Sequence, residues 1–192
     1  RYALSTTAEY VTDRHITGRA VLTFDDATAD FGETVLPLLN QCDAKATVYI
    51  PSARIGQTNS WDAADVQVPL MTVAALKKAA GEGIELGAHT RTHADLTRLS
   101  GEDLQEEVNG SRVELESIFG YRALTFCYPY GRFSEEVVTA VRGAGFEAAV
   151  STRKGSDPAE GDPFLIRRIA IRHDTSLALL IYKLWRARRF GR

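Results

Sequence analysis

The 192-residue sequence predicts an α/β fold organised around a parallel sheet, on three observations. Short runs of β-branched, aromatic and aliphatic residues recur along the chain, nearly continuous in their apolar character, as strands covered on both faces are. Helix-length segments with capping residues separate them, and such alternation produces right-handed crossovers around a parallel sheet. Chemistry-bearing side chains also follow directly on two of the runs. That is the edge where ligands gather in parallel α/β architectures.

In order, Val21-Leu22-Thr23-Phe24 reads as the first buried strand and hands over to Asp25 and Asp26. Residues 31–41 read as a helix and Ala46-Thr47-Val48-Tyr49-Ile50 as the next strand. Residues 51–69 are the longest irregular stretch, holding Ile55, Trp61, Asp62 and Val68. A loop of that length beside a site often forms a substrate wall. Thr72 caps a helix over residues 72–80, and Ile84-Glu85-Leu86-Gly87-Ala88 follows as a strand ending at His89. Residues 100–119 read as a long helix, with Ser100 at the N-cap, Glu102 and Asp103 in its first turn and Gly120 at its end. Leu104, Val108, Val113, Leu115 and Ile118 give it an apolar side. Leu124-Thr125-Phe126-Cys127-Tyr128 is a strand, residues 134–144 a helix stopped by Gly145, and residues 146–151 a strand. A second loop spans residues 154–163, and Ile169-Ala170-Ile171 is strand-like beyond it.

The two strand ends supply adjacent carboxylates and, in His89-Thr90-Arg91-Thr92-His93, two imidazoles four apart. Taken singly, each has an ordinary account, a helix-capping Asp pair and a surface His pair. Together at one sheet edge they match a catalytic ion site, which uses three protein ligands and leaves a position open. Asp26, His89 and His93 make that count. Asp25 is left for proton transfer, the task an attacking water needs done.

Three motifs in order then carry a family resemblance: Thr23-Phe24-Asp25-Asp26, His89-Thr90-Arg91-Thr92-His93 with Leu96, and Phe126-Cys127-Tyr128-Pro129-Tyr130-Gly131. From about residue 19 to about residue 171 the chain resembles the polysaccharide deacetylases of the NodB-homology kind, carbohydrate esterase family four. Trp61-Asp62 ahead of Met71-Thr72 resembles the branch with a Tyr-Pro-Tyr-Gly third motif. The resemblance implies a distorted, incomplete (β/α) barrel of about seven strands, which the sequence pattern alone does not separate from an open doubly wound sheet. It implies N-deacetylation of an acetylated glycan by water activated on one divalent ion, zinc first, with cobalt, nickel or manganese as alternatives. By the same resemblance Asp25 is the general base, and Asp26, His89 and His93 are the metal ligands. Tyr130 offers its backbone N–H to the oxyanion. Localisation is not readable from the chain itself: family analogy gives the cell envelope or secretion, and a cytoplasmic setting stays open.

The chain departs from the family pattern in places. Cys127 stands where many members have an Arg that orients the catalytic aspartate, and a thiol cannot make a bidentate bond to a carboxylate. Arg168 is the candidate replacement. For the general acid, Ile171-Arg172-His173 fits the family's late pattern, so His173 is a candidate. His15 is the alternative upstream of the first motif. Ala27 replaces a frequent Gly, and Trp61 is the candidate sugar-stacking residue.

With 44 % hydrophobic and 25 % charged residues, one globular domain over residues 1–192 is expected, with a core over about 19–173 and a C-terminal helix over about 175–189. A net charge of −2 gives no basic field for nucleic acid, and the chain carries no signal for an oligomeric state. The sequence holds no run of eighteen apolar residues, so no membrane span is expected within it. The start, Arg1-Tyr2-Ala3-Leu4-Ser5, has no Met and is no secretory signal, which points to a trimmed or truncated chain. Cys42 and Cys127 read as two separate buried thiols. The apolar C-terminal segment runs into Arg186, Arg188, Arg189 and Arg192; a membrane-surface contact is one account, and packing of its apolar side on the sheet the favoured one. Outside catalysis by N-deacetylation stand a non-catalytic carbohydrate-binding relative and an enzyme of O-acetyl glycans or small amides.

Overall fold

The computed structural model describes residues 2–15, 18–62, 66–158 and 160–190. It begins with two elements that no apolar periodicity announces, strand β1 (Ala3–Ser5) and helix α1 (Thr7–Thr12). Although α1 has six residues, a full capping box starts it: the Thr6 hydroxyl accepts from the Glu9 N–H, and the Glu9 carboxylate accepts from the Thr6 N–H. β2 (Arg19–Val21) pairs with β1, and after Leu22 the same run continues as β3 (Thr23–Phe24). A π-type turn over Phe31–Val35 leads into α2 (Leu36–Gln41), followed by β4 (Thr47–Ile50), α3 (Val73–Gly81) and β5 (Glu85–Ala88). α4 (Gly101–Gln105) and α5 (Ser111–Phe119) are joined by a second π-type turn, Glu106–Gly110. β6 (Thr125–Cys127), α6 (Glu135–Gly143), β7 (Ala148–Lys154), β8 (Ile166–Arg168) and α7 (Leu177–Phe190) complete the order.

Six strands form an all-parallel sheet in the order β3-β4-β5-β6-β7-β8, and β1 and β2 form a parallel pair beside it. Counted with β2 and β3 as one interrupted strand, there are seven. Spatial order follows sequence order, so each crossover lays the next strand beside the last and the sheet curls into a distorted, incomplete (β/α) barrel.

The strand period of two sorts side chains between two clusters. Val48, Ile50, Leu86, Ala88, Phe126, Tyr128 and Ala149 join Leu76, Leu104, Val108 and Leu115 in the larger core. Tyr49, Cys127, Ala148, Val150 and Ile166 form the other cluster, against which Tyr10 and Val11 of α1 pack. Gly87 shares the second face, where an added methyl would lie 2.5 Å from the Tyr49 ring, so the missing side chain makes room for the phenol. The same parity carries Asp25, His89, Cys127 and Arg168 to one face at the strands' carboxyl ends. Full burial of a side chain such as Leu76 contributes roughly 1.5–3 kcal/mol.

Several expectations change. The run 21–24 is half-buried rather than buried, because it is an edge of the six-stranded sheet. The last strand is Ile166–Arg168, three residues earlier than the Ile169-Ala170-Ile171 run, because Ile166 is the residue that pairs with Val150 and fills the inner cluster, while Ile171 is 58 % exposed. Val113 is exposed, since the buried stripe runs through Leu104, Val108, Ser111 and Leu115, and a residue two before Leu115 points the other way. Cys42 is exposed at the C-cap of α2, beyond the last covered turn, and Cys127 is buried. α7 does not lay its apolar side on the sheet: Leu177, Ile181 and Trp185 are 72 %, 57 % and 55 % exposed. Its inward side is narrow, with Ala187 buried, and Lys183 Nζ bonds the Ala170 carbonyl. Arg192 and the side chain of Arg188 lie outside the described residues. Among the described residues no helix is long and apolar enough to cross a membrane.

Candidate active site

Asp25 and Asp26 leave β3, His89 follows β5, and His93 sits on the loop after it. The structure brings Asp26, His89 and His93 together, with one donor atom from each within 4.8 Å of the others. Asp26 Oδ1 lies 3.4 Å from His89 Nε2 and 3.3 Å from His93 Nε2. That oxygen is buried and has no hydrogen-bond partner among the described residues. A buried, unpaired carboxylate oxygen beside two ring nitrogens is what a cation site presents.

His89 Nδ1 lies 2.7 Å from the Cys127 carbonyl, an acceptor that keeps the proton there and turns Nε2 inward. His93 differs, for its Nδ1 is buried without a partner among the described residues. Burial first, and the neighbouring His89 second, push His93 down to about 4, so this imidazole is neutral near pH 7, the form that coordinates. For His89, burial opposes the charged form, but Cys127 and the Asp26 carboxylate more than offset it and push it up. Coordination needs the neutral imidazole, so a proton and a cation compete for the same His89 Nε2 lone pair.

The backbone around these groups is strained. Among the described residues six non-glycine residues have positive φ, and five of them are Asp26 at 71°, Ala27 at 55°, Thr90 at 63°, His93 at 66° and Tyr130 at 57°. Each costs of order 1–3 kcal/mol, and Thr90, being β-branched, is the sharpest outlier. Surrounding hydrogen bonds hold them. Glu107 Oε2 accepts from the Arg91 and Thr92 N–H groups at 2.9 Å, and its Oε1 accepts from the Thr92 hydroxyl. Arg91 Nε donates to Glu114 Oε1 at 2.7 Å, and Thr90 Oγ1 accepts from the His93 N–H at 2.9 Å. Glu107 lies in the π-type turn between α4 and α5, a local widening that helices often keep near functional sites. Nothing in the sequence marks Glu107 or the Cys127 carbonyl, since one is a helical acid among several and the other is main chain.

Asp25 meets Arg168. The guanidinium donates from Nη1 to Oδ1 at 2.7 Å and from Nη2 to Oδ2 at 2.8 Å, a bidentate pair. Arg168 is itself fixed by the Ser151 carbonyl at 2.9 Å and by Thr23 Oγ1 at 3.1 Å, and its Nη2 lies 3.3 Å from Cys127 Sγ. Burial would raise the Asp25 carboxyl; the bonds and charge of Arg168 outweigh it and hold the group below its ordinary value. Asp25 is therefore ionised at neutral pH.

Tyr130 stands in a tight turn between Pro129 and Gly131. A methyl at Gly131 would lie 1.9 Å from Thr152 Oγ1, so only glycine lets this turn press on β7. The Tyr130 ring meets His93 edge-on at 4.8 Å, and Trp61 stacks on the same imidazole at 4.5 Å with an interplanar angle of 25°. His173 is exposed in the turn between β8 and α7, and His15 is exposed after α1. Neither makes a hydrogen bond, ion pair or ring contact with Asp25, Asp26, His89 or His93 among the described residues.

The chain is similar to known proteins over most of its length. YxkH of Bacillus subtilis is 25 % identical over 151 residues, 79 % of this chain and 50 % of its own. A chitin deacetylase of Arthroderma benhamiae is 31 % identical over 123 residues, 64 % of this chain and 30 % of its own. The chain thus spans half the length or less of these relatives. Among solved structures, Streptococcus pyogenes deacetylase PplD in complex with acetate superposes with a TM-score of 0.79 at 21 % identity, covering 94 % of this chain and 79 % of that one, a likeness of fold. The family model for polysaccharide deacetylase matches residues 13–149, a span that contains all three motifs, and the chain belongs to that family.

Proposed function

We propose that this chain is a metal-dependent deacetylase that hydrolyses the acetamide C–N bond of N-acetylated sugars in a polysaccharide or oligosaccharide. The observation that carries this reading is the convergence of Asp26 Oδ1, His89 Nε2 and His93 Nε2 beside an Asp25 gripped at both oxygens by Arg168. One carboxylate and two imidazoles suit zinc, and cobalt, nickel or manganese can share the set. A divalent ion bound there supplies Lewis acidity to water and to the acetyl carbonyl.

The chain's own groups divide the remaining work. Asp25, ionised and aimed by Arg168, takes the proton from the attacking water as its oxygen bonds to the carbonyl carbon. The Tyr130 backbone N–H faces the negative charge that gathers on the carbonyl oxygen, a contribution of about 10²–10³ in rate for such a donor. His173, following β8 at the edge that carries Arg168, is assigned the proton given to the departing nitrogen. The C–N bond breaks, leaving acetate and a free amine. The Arg168–Asp25 pair favours turnover over a binding-only role, because ion binding asks nothing of Asp25.

The test is acetate release from a panel of N-acetylated and O-acetylated glycans, after chelation and after metal is restored. Acetate from N-acetylated oligomers only with metal present is the expected result. Release that survives chelation, or none from any metal-loaded sample, overturns the reading.

A further inference from the structure

The two imidazoles of the cluster are held by different means. His89 has the Cys127 carbonyl behind its Nδ1, the arrangement that commonly fixes the ring plane of a ligating His. His93 lacks that acceptor, its Nδ1 being buried without a hydrogen-bond partner among the described residues. Rings flank it instead, Trp61 stacked at 4.5 Å and Tyr130 edge-on at 4.8 Å. The indole Nε1 of Trp61 is likewise buried and unpaired, so the contact uses the ring and not the N–H.

The loop that carries Trp61 is tied to both halves of the cluster. At its start, the Ser52 and Ala53 N–H groups donate to the carbonyls of Thr90 and Arg91, on the loop that bears His93. At its end, Met71 N–H donates to the Ala27 carbonyl at 2.8 Å, and Ala29 N–H to the Pro69 carbonyl at 2.9 Å, on the loop that bears Asp26. Asn59, 8 % exposed, closes the neck between the two arms: its Oδ1 accepts from the Val68 N–H at 2.6 Å and its N–H donates to the Val68 carbonyl. The arms, residues 51–62 and 66–71, therefore join two strand ends that are not otherwise connected in sequence.

We infer that this loop is a clamp on the cation site and that Trp61 is a positioning residue, setting the plane of His93 by stacking where a hydrogen bond would ordinarily do so. The inference rests on the metal-centre reading above. It gives the indole a task other than contact with sugar, since one of its faces is taken by the imidazole.

Trp61→Met keeps apolar bulk without a ring, and Trp61→Phe restores a ring. Co²⁺ and Zn²⁺ binding is titrated by calorimetry, and the visible spectrum of the Co²⁺ form reports ligand geometry, which a purely structural role would leave unmoved. Trp61→Met should weaken binding by about 10- to 100-fold and alter the Co²⁺ spectrum, while Trp61→Phe should stay within about threefold of the parent. Asn59→Ala, which leaves the indole in place but opens the loop neck, should weaken binding by several-fold. A Trp61→Met protein with parental affinity and spectrum overturns the inference and leaves the metal reading standing. A parent that binds neither ion, indistinguishable from Asp26→Asn, overturns both.

Discussion

The two ends of the barrel strands are built on opposite principles. At their amino ends, Glu85 Oε2 accepts from the Thr47 hydroxyl and from the Ala8 N–H of α1, both at 2.9 Å, and Oε1 accepts from Thr125. Thr7 donates to Thr47 from both N–H and hydroxyl and accepts from the Tyr49 phenol at 3.1 Å, so each polar group of this network has a partner. At the carboxyl ends, Asp26 Oδ1, His93 Nδ1 and Trp61 Nε1 are buried without one among the described residues, and five left-handed residues lie at or beside them. One strand, β5, carries both conditions, Glu85 at its start and His89 just past its end. Polar groups satisfied among themselves lock a structure, whereas groups left unsatisfied are available to something that binds.

Substitutions at either end can break this division. The largest effect is expected from Asp25→Asn, which should lower kcat by about 10²–10⁴-fold with bound metal unchanged; His173→Ala, read alongside it, should also lower kcat without loss of metal. Metal analysis with acetate-release kinetics checks both, and a metal-loaded Asp25→Asn enzyme of undiminished rate would remove that residue from the mechanism. Next in size, Glu85→Ala strands the donors of Ala8, Thr47 and Thr125 and should cost about 3 kcal/mol of stability in a denaturant titration, with kcat/KM of the folded protein preserved. A drop in kcat at unaltered stability would show that the two ends are not separate.

Smaller, and sharper, is Arg168→Met, for which a loss of roughly 10- to 100-fold in kcat is expected at constant metal content. Its sign with pH follows from the geometry. Burial raises the Asp25 carboxyl and Arg168 holds it down, so without the guanidinium the group keeps its proton to higher pH. The acidic limb of kcat/KM should therefore move upward. A limb that stays where it was would mean that Arg168 does not set the ionisation of Asp25.

Much of the frame was legible because strands and their terminal residues are local. Val48 and Ile50 alternate with Tyr49 between the two clusters, and Asp25 and His89 fall where apolar runs stop. What escaped depends on distant partners. α1 is too short to show a period, and its place comes from Glu85, 77 residues from Ala8. The outward face of α7 reflects how little of the body it meets, and the position of β8 was decided by the pairing of Ile166 with Val150 rather than by the more apolar run after it. The anchoring of the His93 loop by Glu107 required a π-type turn that composition does not disclose.

A strand admits changes of length only in steps of two, since each residue gained or lost reverses which way every later side chain faces. β5 is therefore a gauge with a plug at one tip and an imidazole at the other. Inserting a single residue between them would turn either Glu85 or His89 to the wrong side of the wall, so the spacing of four matters to the proposed cation site as much as the identity of the histidine.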